Sequence, residues 1–270
     1  MFSIPDLFSR FHHHFAPWTD PAPVREELFG IDRLELHART LAAAQPVTLA
    51  SPKVPSLHSR LNENARVLLS AYRASAREIE ADRLVVPAAE WLLDNYHLVE
   101  EHVREIRDDL APGYYRQLPK LAGGPFAGYP RVFELAWAFV AHTDSHFDPE
   151  MLKRFVSAYQ GVQPLTIGEL WAIPITLRIV LIENLRRLAD QITAGRQSRG
   201  EADALADHVL IAGLSPDVVI ARMASAPLPE LFAAQFAKRL RDHDSADTPT
   251  LSWLEERLSG QQSSIDDVVL

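Results

Sequence analysis

Between Pro87 and Leu110 the sequence places Leu92, Tyr96, Val99, Val103, Ile106 and Leu110 at alternating steps of four and three. That spacing holds the six side chains on one stripe of an α-helix, whereas a strand would divide them between its two faces. A helix with a long apolar seam needs other helices to cover it. Pro87 suits the first helical position, and Glu100 followed by Arg104 is the favoured order for an i,i+4 pair on the polar side.

The flanking sequence repeats these signals. Val24 to Ala44 reads as a helix stopping before Pro46, then comes a loop from Gln45 to Ser59, then a helix over Leu61 to Arg83. Pro112 to Pro130 carries four glycines and four prolines and reads as one long shaped loop bearing Tyr114, Tyr115, Phe126 and Tyr129. Val132, Leu135, Ala136, Phe139 and Val140 mark the next apolar face. Asp148 is an N-cap ahead of Pro149.

Thr166 and Glu169 form a capping box that opens a helix toward Ala189. Its first half is apolar nearly all round, including Trp171, so it is expected to be surrounded by other helices and bent at Pro174. Arg178 there must meet a carboxylate or a helix end, because a buried unpaired charge is too costly. After Gly195 the texture changes. Ser198 and Glu201 read as another capping box, and further helices are expected from Ala202, Pro216, Leu228 and Pro249. Ser264 and Asp267 resemble a helix opening three residues before Leu270, which suggests a truncated chain.

The expected fold is all-α, an irregular multi-helix bundle or helical array with one long Gly/Pro/Tyr-rich loop. The expected divisions are 1–60, an N-terminal extension and first helix; 61–195, the helical core; and 196–270, a C-terminal helical segment. A 47% hydrophobic content over 270 residues is ample for a packed core. The net charge of −9 argues against a nucleic-acid footprint. With no cysteine there is no disulfide framework or thiolate metal site. No apolar run reaches the roughly 18 residues of a membrane span. The opening MFSIPDLFSRFHHHFAP lacks the apolar core of a secretory signal and reads as a flexible terminus.

Candidate chemistry is sparse, and no residue is assigned a catalytic role. His142 and His146, four apart, are weak metal candidates, because Asp148 as a cap implies that the helix frays between them; His12 to His14 are weaker still. The carboxylate pairs Asp108 with Asp109 and Asp144 with Asp148 read as solvated faces and caps. Phosphate-loop, nucleophile-elbow and HExxH motifs are absent. Among the aromatics, Trp91, Trp137 and Trp171 are expected in the core. Tyr114, Tyr115 and Tyr129 with Arg116 are the candidates for contact with sugar, since amphipathic rings stack on pyranoses.

The strings AAEWLLDNYHLVEEHVREIRDDLAPGYYRQLPKL, GYPRVFELAWAFVAHTDSHFD and VQPLTIGELWAIPITLRIVLIENLRRLA resemble the region near the amino terminus of bacterial cyclic β-1,2-glucan synthases, and the likeness covers Ala88 to Ala189 closely. The resemblance implies a polypeptide with a membrane-embedded glycosyltransferase module that uses UDP-glucose with Mg2+ or Mn2+, holds its growing glucan on protein, and carries a phosphorylase-like carboxy-terminal region. The present sequence lacks that module's membrane helices and metal motifs. Gln235 and Arg239 have the interval of its QxxRW acceptor motif, but Leu240 stands where Trp belongs.

What the resemblance implies for this segment is a non-catalytic helical scaffold on the cytoplasmic face of the inner membrane. It would need no cofactor of its own, and its partners would be the glycosyltransferase module of the same polypeptide and the glucan chain. Two other readings stand beside it: a free-standing helical interaction module, and a helical carbohydrate-active enzyme using carboxylates near the tyrosine-rich loop. Tyr114 or Tyr115 could contact or even anchor the glucan, given an activating base.

Overall fold

A computed structural model describes residues 20–48, 54–81, 85–211, 218, 220–221, 229–242 and 249–259. The expectations placed on the N-terminal segment, on the helix starts at Pro216 and Leu228, and on Ser264 to Asp267 lie outside these residues. The elements, in order, are α1 (Ile31–Ala44), β1 (Val47–Thr48), α2 (Leu57–Glu80), α3 (Pro87–Asp109), α4 (Pro112–Gln117), β2 (Lys120–Leu121), α5 (Arg131–Thr143), α6 (Pro149–Gln160), α7 (Ile167–Leu210), α8 (Glu230–Asp242) and α9 (Pro249–Ser259). The fold is all-α, with one two-stranded antiparallel ribbon pairing Val47 with Leu121 and Thr48 with Lys120.

The chain divides into two units, Met1–Asp190 and Gln191–Leu270. In the first, α1 packs along α6 and α2 along α3. The seam of α3 is buried as its spacing requires: Leu92, Tyr96, Val99, Val103 and Ile106 all face the core, with Leu110 at the C-cap. Residues of α1 share that core through Leu34, Ala38 and Ala42. Asp148 caps α6 by accepting from the N–H groups of Glu150 and Met151. The box at α7 is formed in both directions: Glu169 N–H donates to Thr166 Oγ1 at 3.2 Å, and Thr166 N–H to Glu169 Oε2 at 2.9 Å.

Four expectations are corrected. Helix α1 begins at Ile31 rather than Val24, because residues 24–30 run extended and spend their backbone elsewhere. Glu26 N–H donates to Ala141 O, Phe29 N–H to His142 O, and Val24 N–H to Asn184 Oδ1 at 2.7 Å. The segment 112–130 is not irregular throughout, since α4 and β2 lie in it. Its remainder is tied down by Leu121 N–H to Tyr129 O and Arg131 N–H to Pro119 O, with Gly128 at φ +87 where a side chain would be strained.

The pair Glu100 and Arg104 is not formed among the described residues. Helix α7 continues past Ala189 and Gly195 to Leu210, so Ser198 and Glu201 lie within it and cap nothing. Glycine inside a helix costs about 1 kcal/mol, but a Cβ at Gly195 would come within 2.9 Å of Leu231 Cδ1. A side chain there would have to displace the end of the half-exposed Leu231 side chain. The core of that unit joins Ala202 and Ala206 of α7 to Phe236 and Leu240 of α8 and Leu254 of α9.

The sequence reading had no signal for the buried ion pairs of the first unit. Glu183 of α7 is fully buried and accepts from Arg60 Nε at 2.9 Å, Arg60 Nη2 at 2.7 Å, Asn64 Nδ2 at 2.7 Å and Arg187 Nε at 3.0 Å. Arg187 in turn donates to Ala22 O at 2.7 Å. Arg131 grips Glu169 through both its Nε and its Nη2, and also donates to Pro164 O at 2.8 Å. Burial pushes both carboxyls up, but the donors from Arg60, Asn64 and Arg187 on one and from Arg131 and Thr166 on the other more than offset it. Both stay below the usual carboxylate range.

Removing one partner of such a network leaves charge stranded in the core. Glu183→Ala is expected to cost about 3–5 kcal/mol in urea denaturation followed by circular dichroism. The depressed values of Glu183 and Glu169 fix the sign with pH. Their stabilisation is fully present above the unfolded glutamate value of about 4.3 and is lost as pH falls through the lower folded values.

Candidate functional site

The steps of four and three that bury the seam of α3 also occur on α7, on the side turned away from the core. Ile167, Trp171, Pro174, Arg178, Leu181, Leu185 and Leu188 follow one another at that spacing and are all exposed or half-buried. Over these residues the stripe is about 32 Å long. Trp171 is 74% exposed and Ile167 77%. On α3, Trp91 is 51% exposed and Leu98 is also at the surface.

Trp91, Leu98 and His102 of α3 and Leu181, Leu185 and Leu188 of α7 line a groove of about 390 Å³. Its polar groups are held at its edges. Arg178 donates to Glu105 and Asp109, both at 2.8 Å, and Asn184 Nδ2 donates to Ser145 Oγ at 2.9 Å. The pairing expected of Arg178 is thus present. The expectation that Trp91 and Trp171 belong to the core is corrected; of the three tryptophans, Trp137 alone packs against it. A helix apolar nearly all round predicts cover on every side, yet α7 leaves one apolar stripe uncovered in the described structure.

The tyrosines are placed the opposite way. Tyr129 is buried against Phe133, and Phe126 is buried beside it. Tyr114 is half-buried and donates its hydroxyl proton to Gly168 O. Tyr115 is half-buried too, with Lys120 Nζ 3.7 Å from its ring centroid. Of the candidates for contact with sugar, Arg116 on α4 is exposed, while the three phenols pack inward. Burial pushes Tyr115 up to about 12 and raises Tyr114, so neither is prepared as a nucleophile. Burial also lowers Lys120 to about 8.

The histidines do not share a helix face. Helix α5 ends at Thr143 with Asp144 left-handed at φ 51, so His146 lies beyond it. His142 stacks on Phe29 with ring centroids 3.9 Å apart, and its Nδ1 donates to Glu27 O at 2.8 Å. Among the described residues no group of three or more His, Asp or Glu could hold a metal ion. These residues do not fit the divalent metal that the resemblance implies for the whole polypeptide, and no helix of the described structure is long and apolar enough to cross a membrane. Three of the four paired carboxylates have other partners, while Asp108 lies exposed on α3: Asp109 holds Arg178, Asp144 holds Arg25 at 3.2 Å, and Asp148 caps α6. Gln235 donates to Asp203 at 2.7 Å and Arg239 pairs with Asp207, so the motif-like interval serves packing between helices.

A buried polar chain links α1, α5 and α6. Gln45 at the C-cap of α1 donates to Glu134, and Tyr159 donates to Gln45 Oε1. Burial pushes Glu134 up to about 7, against the lowering effect of the Gln45 amide.

No family model matches the chain. Over 250 residues, 92% of its length, it is 36% identical to the cyclic beta-(1,2)-glucan synthase NdvB of Rhizobium meliloti (strain 1021). It spans 9% of that protein's length. The likeness carried by the three strings is thus found across nearly the whole chain, and this chain is similar to one segment of a far longer polypeptide.

Glu134 gives a test of the buried chain. Its folded value is raised, so its stabilisation is complete below the unfolded value of about 4.3 and is lost as pH climbs through about 7. Glu134→Gln keeps a neutral amide in place. It is expected to remove about 2 kcal/mol of the stability lost between pH 5 and pH 8, read from denaturation midpoints at the two values.

Proposed function

We propose that this chain, a relative of one segment of a cyclic β-(1,2)-glucan synthase, is a non-catalytic helical scaffold within such an enzyme, on which the glycosyltransferase module of the same polypeptide packs. The observation that carries this reading is the uncovered stripe from Ile167 to Leu188 with Trp91 and Leu98 beside it. An apolar surface rimmed by ion pairs marks a place where another protein surface is seated. Large exposed aromatics are the residues that dominate such contacts. The length that the synthase has beyond the matched segment offers a covalently linked occupant, and linkage raises its effective concentration.

In this reading, polymerisation from UDP-glucose and any divalent metal belong to modules outside these residues. The inner membrane's cytoplasmic face is the setting, with contact to the glucan limited to what the exposed surface offers. The free-standing interaction module is the second reading, because the same stripe could seat a separate protein. The enzymatic reading has less support, since Asp109, Asp144 and Asp148 serve as ion-pair partners or a cap.

An antibody against this segment is expected to detect, in source cells, a membrane-bound polypeptide many times heavier than 30.3 kDa. A soluble band of about that mass would overturn the scaffold reading and favour the second. A photoreactive residue in place of Trp171 is expected to crosslink to peptides outside this chain, and Leu181→Asp to reduce that yield at least roughly tenfold. Being on the surface, Leu181→Asp should change folding stability by no more than about 0.5 kcal/mol.

A further inference from the structure

The strongest independent feature lies between α2 and α3. A groove of about 450 Å³ there is lined by Arg66 on α2 and by Arg104 and Arg107 on α3. Nine of the fifteen described arginines in the first unit are ion-paired with a carboxylate; Arg73, Arg77 and Arg116 are in no ion pair among the described residues, but they do not line this groove. Arg66, Arg104 and Arg107 have no carboxylate partner among the described residues. The one carboxylate on the groove wall, Glu100, is paired with none of them.

Neutral groups hold two of the three in place. Arg107 donates through Nε and Nη2 to Asn62 Oδ1, at 3.0 and 2.7 Å. Arg66 Nε donates to the Asn62 carbonyl at 3.2 Å. A guanidinium has five N–H donors, so each is positioned while most of its donors and all of its charge stay uncompensated. This positive patch lies on a chain of net charge −9, where a solvated arginine has many carboxylates to choose from. The floor is apolar, formed by Leu69, Val99, Val103 and the ring of Tyr96, which stacks on Tyr72 with centroids 4.4 Å apart.

We infer that this groove binds a phosphate group attached to an organic body, with the phosphate on the three guanidinium groups and the body on the apolar floor. Planar guanidinium forks match phosphate oxygens, and charge-assisted hydrogen bonds are the strong ones. The same chemistry is presented by a small soluble phosphate ester and by the headgroup of an anionic phospholipid. This inference does not depend on the scaffold reading.

The test uses the whole chain, with glucose 1-phosphate in titration calorimetry and with phosphatidylglycerol vesicles against phosphatidylcholine vesicles in cosedimentation. Binding to glucose 1-phosphate, or selective binding to phosphatidylglycerol, is expected, and the pattern identifies the source of the phosphate. The Arg66→Gln, Arg104→Gln double variant should weaken that binding about tenfold or more. Both side chains are exposed, so its melting temperature should match that of the unaltered chain. Lys153→Gln, which removes an exposed cation elsewhere, should leave binding unchanged. Failure to bind both probes would overturn the inference, as would equal binding by the double variant or an equal loss with Lys153→Gln.

Discussion

The first unit depends on one buried carboxylate. Glu183 sits inside α7 with no solvent contact, and its charge is tolerable only because Arg60 and Asn64 of α2 and Arg187 one turn further along α7 all donate to it. Each donor fixes a different relation. Arg60 and Asn64 set where α2 lies along α7, and Arg187 carries the connection to Ala22 in the extended N-terminal segment. The adjacent Asn184 takes Val24 N–H, so two consecutive residues of one helix hold that segment. Apolar packing alone allows a helix to slide by a turn at modest cost. A charge that needs three specific donors in the core does not.

Arg131 and Glu169 do the same at the other end of the unit. The capping box places Glu169 at the start of α7 with its carboxylate folded back on Thr166, and Arg131 reaches the same oxygens from the start of α5. A motif that usually serves one helix end is here joined to a second helix. The Arg131–Glu169 pair thus ties α5 to α7, and the Gly- and Pro-rich segment before α5 puts Phe126 and Tyr129 into the core.

The placement of the aromatic side chains is inverted. The side of α7 carrying Glu169, Thr176 and Glu183 bonds to α5 and α2, and another side carries Ile167, Trp171, Leu181 and Leu188 outward. Residues that look like core by composition therefore form a surface, and tyrosines that look like a surface loop form core. The arginines divide along similar lines. Most of those in the first unit neutralise carboxylates, while Arg66, Arg104 and Arg107 are held by Asn62 and left uncompensated beside an apolar floor.

The sequence by itself determined the all-α class, the seam of α3, the caps at Asp148 and Thr166, and the pairing demanded of Arg178. These follow from local periodicity, from side chains that bond their own backbone, and from the cost of an unpaired charge, all of which act within a few residues. It also carried the likeness to a glucan synthase segment, because long strings preserve ancestry without reference to contacts. Only the tertiary structure decided that Val24 to Gly30 form no helix, that α7 passes through Gly195, that the buried Glu183 takes Arg60 alongside the exposed Glu63, and that Trp171 faces outward while Tyr129 does not. The first three involve partners more than thirty residues away in the chain, and neither spacing nor composition records which distant group satisfies a backbone donor or a buried charge.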